Sequence, residues 1–189
     1  MNFKLSFLFI FLLIVLSSFN PSVNEKIITW NENRPLSWDD FKGKPERRFA
    51  AASTSYDIVK EVKKINSETA SVKIEAVFFC ESSWKKKQWV NNSVLKHEQK
   101  HFDIVELFSR KLRKLILDNS YSSITNLESE TDSLYKIIDI KMDVYQDLYD
   151  DETDGSMNGE KQREWETKIT KEIKALDSYK ETVLKISFK

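Results

Sequence analysis

The sequence predicts an α+β domain, a short antiparallel sheet followed by three long helices. Hydrophobic residues recur with a period near two up to about residue 90, and with a helical period from Ser93 onward. The strand-like runs all come first and the helical ones last, without the alternation of a parallel α/β sheet. Three glycines and three prolines in 189 residues are too few for a loop-rich fold or a long linker.

The chain opens MNFKLSFLFIFLLIVLSSFN, where Lys4 precedes an apolar run over residues 5–16. That run is shorter than the roughly 20 residues of a spanning helix, and small polar residues follow it. It reads as a signal peptide over residues 1–20, with an uncleaved N-terminal anchor as the alternative. The expected mature chain, residues 24–189, is a single secreted or periplasmic domain without an integral membrane segment.

Strands are expected over 26–30, 49–62 and 71–80. In the last of these Val72, Ile74, Ala76, Phe78 and Cys80 share one face. Asn66-Ser67 before it suggests a hairpin turn. Residues 31–44, with Pro35 and Gly43, read as a structured connection. Helices are expected over 93–118, 122–151 and 158–187, separated by Asn119-Ser120 and by Asp154-Gly155-Ser156. The third carries Trp165, Ile169, Ile173, Leu176, Tyr179, Val183 and Ile186 at helical spacing.

Thirty basic residues balance thirty acidic ones, so no basic excess exists to hold nucleic acid or an anionic membrane. Cys80 is alone, which excludes an internal disulfide. It reads as a buried thiol, with zinc ligation or reactivity as the alternatives.

Both histidines of the chain, His97 and His101, fall in SVLKHEQKHFDIVELF, residues 93–108. Four residues apart on a helix, they lie on one face and can reach one ion. Glu98 sits about 100° around the helix, where its carboxylate reaches a water without ligating the metal. This is the His-Glu-x-x-His arrangement of zinc hydrolases, two neutral imidazole ligands and a general base. A catalytic zinc needs a third protein ligand. No third histidine exists, so the choice lies between a carboxylate and Cys80.

The best acidic cluster is YQDLYDDETDG, residues 145–155, at the end of the second helix. Extending that helix's apolar stripe of Leu134, Ile138, Met142 or Lys141, Tyr145 and Leu148 by one turn arrives at Glu152. Asp147, Asp150 and Asp151 then fall on the polar side. Antiparallel packing of the first two helices would bring Glu152 to His97 and His101. Acids at a helix C-terminus oppose the macrodipole, a conflict that a bound cation relieves. Glu106 and Asp103 lie off the ligand face; an ion pair of Asp103 with Arg110 or Lys111 on the helix exterior is one reading. Tyr145 and Tyr149 offer hydroxyls to a developing oxyanion or pack in the core. Trp84 and Trp89 either line a cleft or bury against the sheet.

Four blocks together carry a resemblance: RPLSWDDFKGKP, FAAASTSYDI, LKHEQKHFDIVEL and YDDETDG followed by KQREW. In this order they are similar to a bacterial family of predicted secreted zinc-dependent proteases, largely of unknown function. The resemblance implies a zincin-like helix with His97 and His101 as zinc ligands and Glu98 as base. It also implies ligating or supporting roles for Asp103, Glu106, Asp150 and Glu152. A histidine often follows the Asp-x-Glu-Thr block in that family, where this chain has Gly155. The expected function is zinc-dependent hydrolysis of a peptide or protein substrate, with Tyr149 and Asp150 as further donors near the transition state. The alternative is a degenerate metal-binding or envelope interaction module that binds without cleaving.

Overall fold

The computed structural model describes residues 25–47 and 49–189, so the expected signal peptide lies outside the described residues. The hairpin expected at Asn66-Ser67 forms, with the N–H groups of Ile65 and Asn66 donating to the Thr69 carbonyl at 3.0 and 3.1 Å. It joins β3 (Tyr56–Lys64) to β4 (Thr69–Phe79), paired antiparallel from Tyr56 opposite Phe78 to Lys64 opposite Ala70. The other edge of β4 takes β1 (Ile27–Thr29) at one end and β6 (Val183–Ser187) at the other, both antiparallel. Alternation along β4 sends Val72, Ile74, Ala76, Phe78 and Cys80 into the core, none more than 1% exposed. The fold is the α+β arrangement the sequence predicts.

Three helices follow: α1 (Asn92–Asp118), α2 (Ile124–Thr153) and α3 (Gly159–Ala175). The third is shorter than expected. After α3 the chain passes through a 3-10 turn at Asp177–Tyr179 and becomes β6. Leu184 and Ile186 point inward and Val183 is exposed, a period of two. Val183 and Ile186 also fit a helical stripe, which hid the change. What decides is the open edge of β4, whose ladder β6 completes.

Over residues 101–110 α1 is buried on every side, with the sheet on one face and α2 and α3 on the others. Asp103 and Glu106 are therefore interior, not on a helix exterior. Asp103 Oδ1 accepts from Trp30 Nε1 at 2.9 Å and from Gln99 Nε2 at 2.8 Å, and its Oδ2 from Lys100 Nζ at 2.6 Å. Neither Arg110 nor Lys111 is its partner. Glu106 instead takes Arg110 Nε at 2.8 Å and Arg113 Nη2 at 2.7 Å. Arg113 in turn donates to the carbonyls of Tyr179 and Lys180 at 2.8 and 2.7 Å, tying down the chain where α3 gives way to β6.

The connection over 31–44 is ordered by close backbone contact. The Gly43 N–H donates to the Ser83 carbonyl at 2.7 Å, and a Cβ at Gly43 would lie 2.5 Å from the Glu81 carbonyl oxygen. Only glycine fits there. Nearby, β2 (Ala52–Ser53) pairs with β5 (Trp84–Lys85) and leads residues 49–54 across the start of α1. Trp84 is buried in this small sheet. Among the described residues no helix is long and apolar enough to cross a membrane.

Candidate metal centre

Asn91 starts α1 by accepting from the N–H groups of Ser93 and Val94 at 2.8 and 3.1 Å. His97 and His101 thus fall in the second and third turns, on the face that meets α2. α2 runs antiparallel to α1, so its C-terminal turns return to this point. There Gln146 and Asp150, also four residues apart, oppose His101 and His97.

The Nε2 atoms of His97 and His101 are 3.1 Å apart, and Asp150 Oδ1 lies 3.0 and 2.9 Å from them. The other nitrogen of each ring faces a carboxamide. His97 Nδ1 is 3.1 Å from Gln162 Oε1, and His101 Nδ1 is 2.7 Å from Gln146 Oε1. Amide oxygens only accept, which assigns the ring proton to Nδ1 and leaves each Nε2 a bare lone pair. Both amides are themselves anchored. Gln146 Nε2 donates to the His101 carbonyl at 3.0 Å, and Gln162 Nε2 donates to the Tyr149 hydroxyl at 2.7 Å. That hydroxyl donates to the His97 carbonyl at 3.3 Å, while the Tyr149 ring stacks on His97 with centroids 4.7 Å apart.

Three acceptor atoms thus converge with no hydrogen of their own between them. Only a cation or an added proton at their centre offsets the repulsion. Zinc–nitrogen bonds of about 2.0–2.1 Å in a tetrahedron set ligand atoms about 3.3 Å apart, close to these spacings. The group His97, His101 and Asp150 could hold a metal ion. Electrostatics favour positive charge here. Burial opposes ionisation of Asp150, yet once Nε2 carries an added proton, hydrogen bonds from His101 and His97 and their charge hold its carboxyl well below the usual carboxylate range. Burial likewise opposes protonation of His101, but its hydrogen bond to Asp150 and the charges of Asp150 and Glu98 outweigh this and raise its pKa.

The site opens into a cleft of about 1070 Å³. Glu98 lines it beside the histidines, only 5% exposed, and its Oε2 accepts from the Thr54 hydroxyl at 2.7 Å. Its lining includes the acids Asp147, Asp150, Asp151 and Asp154 and the apolar side chains of Phe49, Val94 and Trp89. Phe49 and Trp89 pack against each other at a tilt of 59°, ring centroids 5.7 Å apart.

Several expected positions move. Glu152 lies on the opposite flank of α2, where its Oε2 accepts from the Trp165 indole at 2.9 Å. Asp150 occupies the place expected for it. The reason is the composition of the α2 inner face, which continues past Met142 through Gln146, Tyr149 and Thr153. Following apolar residues alone leads instead to Leu148, which is 42% exposed. Tyr149 is fully buried behind His97, with its hydroxyl turned away from the cleft toward Gln162, so it supports the histidine. Tyr145 hydrogen-bonds Glu172 and packs on Trp165. Cys80 is fully buried at the end of β4 with its thiol pushed up by burial, and it is not part of the group around the histidines. Gly155 has a φ of +52°, and a Cβ there would touch nothing within 4 Å.

Gln146, Gln162 and Thr54 went unseen in the sequence. One signal was present for the first: its four-residue spacing from Asp150 mirrors that of the histidines. No family model, no curated protein and no solved structure matches this chain.

Proposed function

We propose that this protein is a secreted zinc-dependent hydrolase whose substrate is most simply a peptide or protein. The observation that carries the reading is the convergence of two histidine lone pairs and one carboxylate oxygen within 3.1 Å, with both Nδ1 atoms held by carboxamides. Two neutral imidazoles and one carboxylate are a zinc donor set that leaves an open coordination position. Bound zinc supplies Lewis acidity and lowers the pKa of water.

The chain's own residues would do the rest. Glu98 takes a proton from the attacking water and returns it to the leaving amine. The Thr54 hydroxyl fixes one oxygen of that carboxylate and leaves the other for the proton. Gln146 and Gln162 hold the imidazoles in the tautomer that binds. The acidic and apolar side chains that line the cleft seat the substrate chain.

The test is elemental analysis of the mature protein, residues 24–189, beside His97→Ala. About one zinc per chain, absent from the variant, is expected. Zinc-free protein after reconstitution would sink the reading. Gly155 favours a second reading, a metal-binding module that does not cleave, because it brings no side chain to a cleft position where the resembling family often carries histidine. Glu98→Gln separates the two. In a hydrolase it abolishes turnover while zinc stays bound; in a binder the unsubstituted protein already cleaves nothing.

A further inference from the structure

We propose that the outward face of α2 docks a cationic amphipathic segment of another protein. α2 turns Ile138, Met142 and Tyr149 inward. Its solvent side carries Ile137, Ile140, Val144 and Leu148, which are 48, 66, 65 and 42% exposed. Steps of three and four residues make them one stripe about 17 Å long. A single exposed apolar residue needs no explanation, but a continuous stripe on a solvent-facing helix marks an interaction surface.

Along one flank of that stripe runs a row of carboxylates, Asp139, Asp143, Asp147 and Asp151, repeating every four residues. Among the described residues none of the four has a salt-bridge partner. Burial and neighbouring carboxylates push Asp139 and Asp143 up from the usual value. Of the lysines on this part of α2, Lys136 lies near the start of the row and Lys141 on the opposite flank.

This charge distribution selects the occupant. A twofold axis between two antiparallel copies of α2 sets the same flank against itself, so acid row would meet acid row. The same row repels an anionic membrane. A segment with apolar side chains on one face and Lys or Arg along its edge satisfies both features at once. The row continues into the cleft, where Asp147 and Asp151 form part of the wall. A chain seated on α2 is thereby led toward His97 and His101. The docking surface itself stands independently of whether that site holds zinc.

The experiment measures binding of a labelled Leu/Lys helical peptide of about 18 residues to the full chain by fluorescence anisotropy. A Leu/Glu peptide with the same apolar pattern is the control. Expected is saturable binding of the Leu/Lys peptide, at least about tenfold tighter than the control and weakened by salt. Two surface double variants, Ile140→Ser with Val144→Ser and Asp139→Asn with Asp143→Asn, should each weaken it about tenfold with unchanged thermal unfolding. Equal affinity for both peptides, or none for either, overturns the proposal. So does full binding in both double variants, which would place the peptide elsewhere. A dimer in sedimentation that the Ile140/Val144 variant dissolves would assign the face to a second copy. An Ile140→Cys thiol shielded from reagent in the peptide-free chain would show that the chain covers this face itself. Cys80, being buried, does not compete for the reagent.

Discussion

Each histidine of the centre has one nitrogen committed to an amide oxygen and one turned toward Asp150. Removing an amide frees the ring to rotate and to exchange tautomers. Gln146→Leu and Gln162→Leu should therefore each weaken zinc binding about 10- to 100-fold, measured by competition with a chromophoric chelator. Asp150→Asn should weaken it at least as much. Glu152→Gln should leave affinity unchanged, because that carboxylate faces Trp165. The metal-free protein has its own pH signature. His101 has a raised pKa, so its contribution is complete below the unfolded value of about 6.5 and is lost as pH rises through the folded value. Asp150 has a lowered one, so its contribution is present above about 3.9 and is lost as pH falls through the folded value. The pair thus stabilises most between about pH 4 and 6.5. Urea unfolding at pH 5.5 and pH 8 should show the advantage of the metal-free protein over Asp150→Asn shrinking at the higher pH. Zinc affinity should move the other way and rise with pH, since protons compete for Nε2.

At the scale of elements, α1 acts as the spine, and its buried polar groups hold the neighbours in place. Glu106 gathers Arg110 and Arg113, and Arg113 clamps the turn before β6. Glu106→Ala would leave the Arg113 guanidinium buried without its carboxylate and Arg110 with only the longer contact to Asp177 at 3.5 Å, at a cost of about 3–5 kcal/mol by chemical denaturation. Zinc content of the folded fraction should not change, because Glu106 takes no part in the centre. The extents of α1 and α2 were readable from periodicity to within two residues, and β4 from its alternation. β6 was not. Residues 183–187 fit both a helical and a strand period, and only the open edge of β4 chose between them. On α2 the inner face was hidden for a different reason. Gln146 and Thr153 are polar but buried, so a stripe drawn from apolar residues drifted to the wrong flank and put Glu152 where Asp150 stands.

Across the whole molecule, the centre joins parts that are distant in sequence. α1 and α2 supply the donor atoms, α3 supplies Gln162, and the segment after Phe49 supplies Thr54 beside Glu98. An ion bound there stabilises the assembly by mass action, about 2.7 kcal/mol at a hundredfold excess over its dissociation constant. Zinc should raise the melting temperature and slow hydrogen exchange around Tyr149 and Gln162, and a chelator should reverse both. If melting is unmoved by zinc while the peptide still binds α2, the metal centre fails and the docking face survives.

Local pattern along the chain was enough for the α+β class, the antiparallel pairing of β3 with β4, and the two histidines and glutamate at one helical spacing. These are local properties, set by period, turn chemistry and residue type. The tertiary structure decided which carboxylate meets the histidines, which amides fix their tautomers, and that the last segment is a strand. Those choices turn on helix phase and on which edges and faces remain to be covered. A shift of two residues along α2 exchanges one flank for the other, and a stripe of apolar letters does not resolve that when buried amides and hydroxyls complete the face.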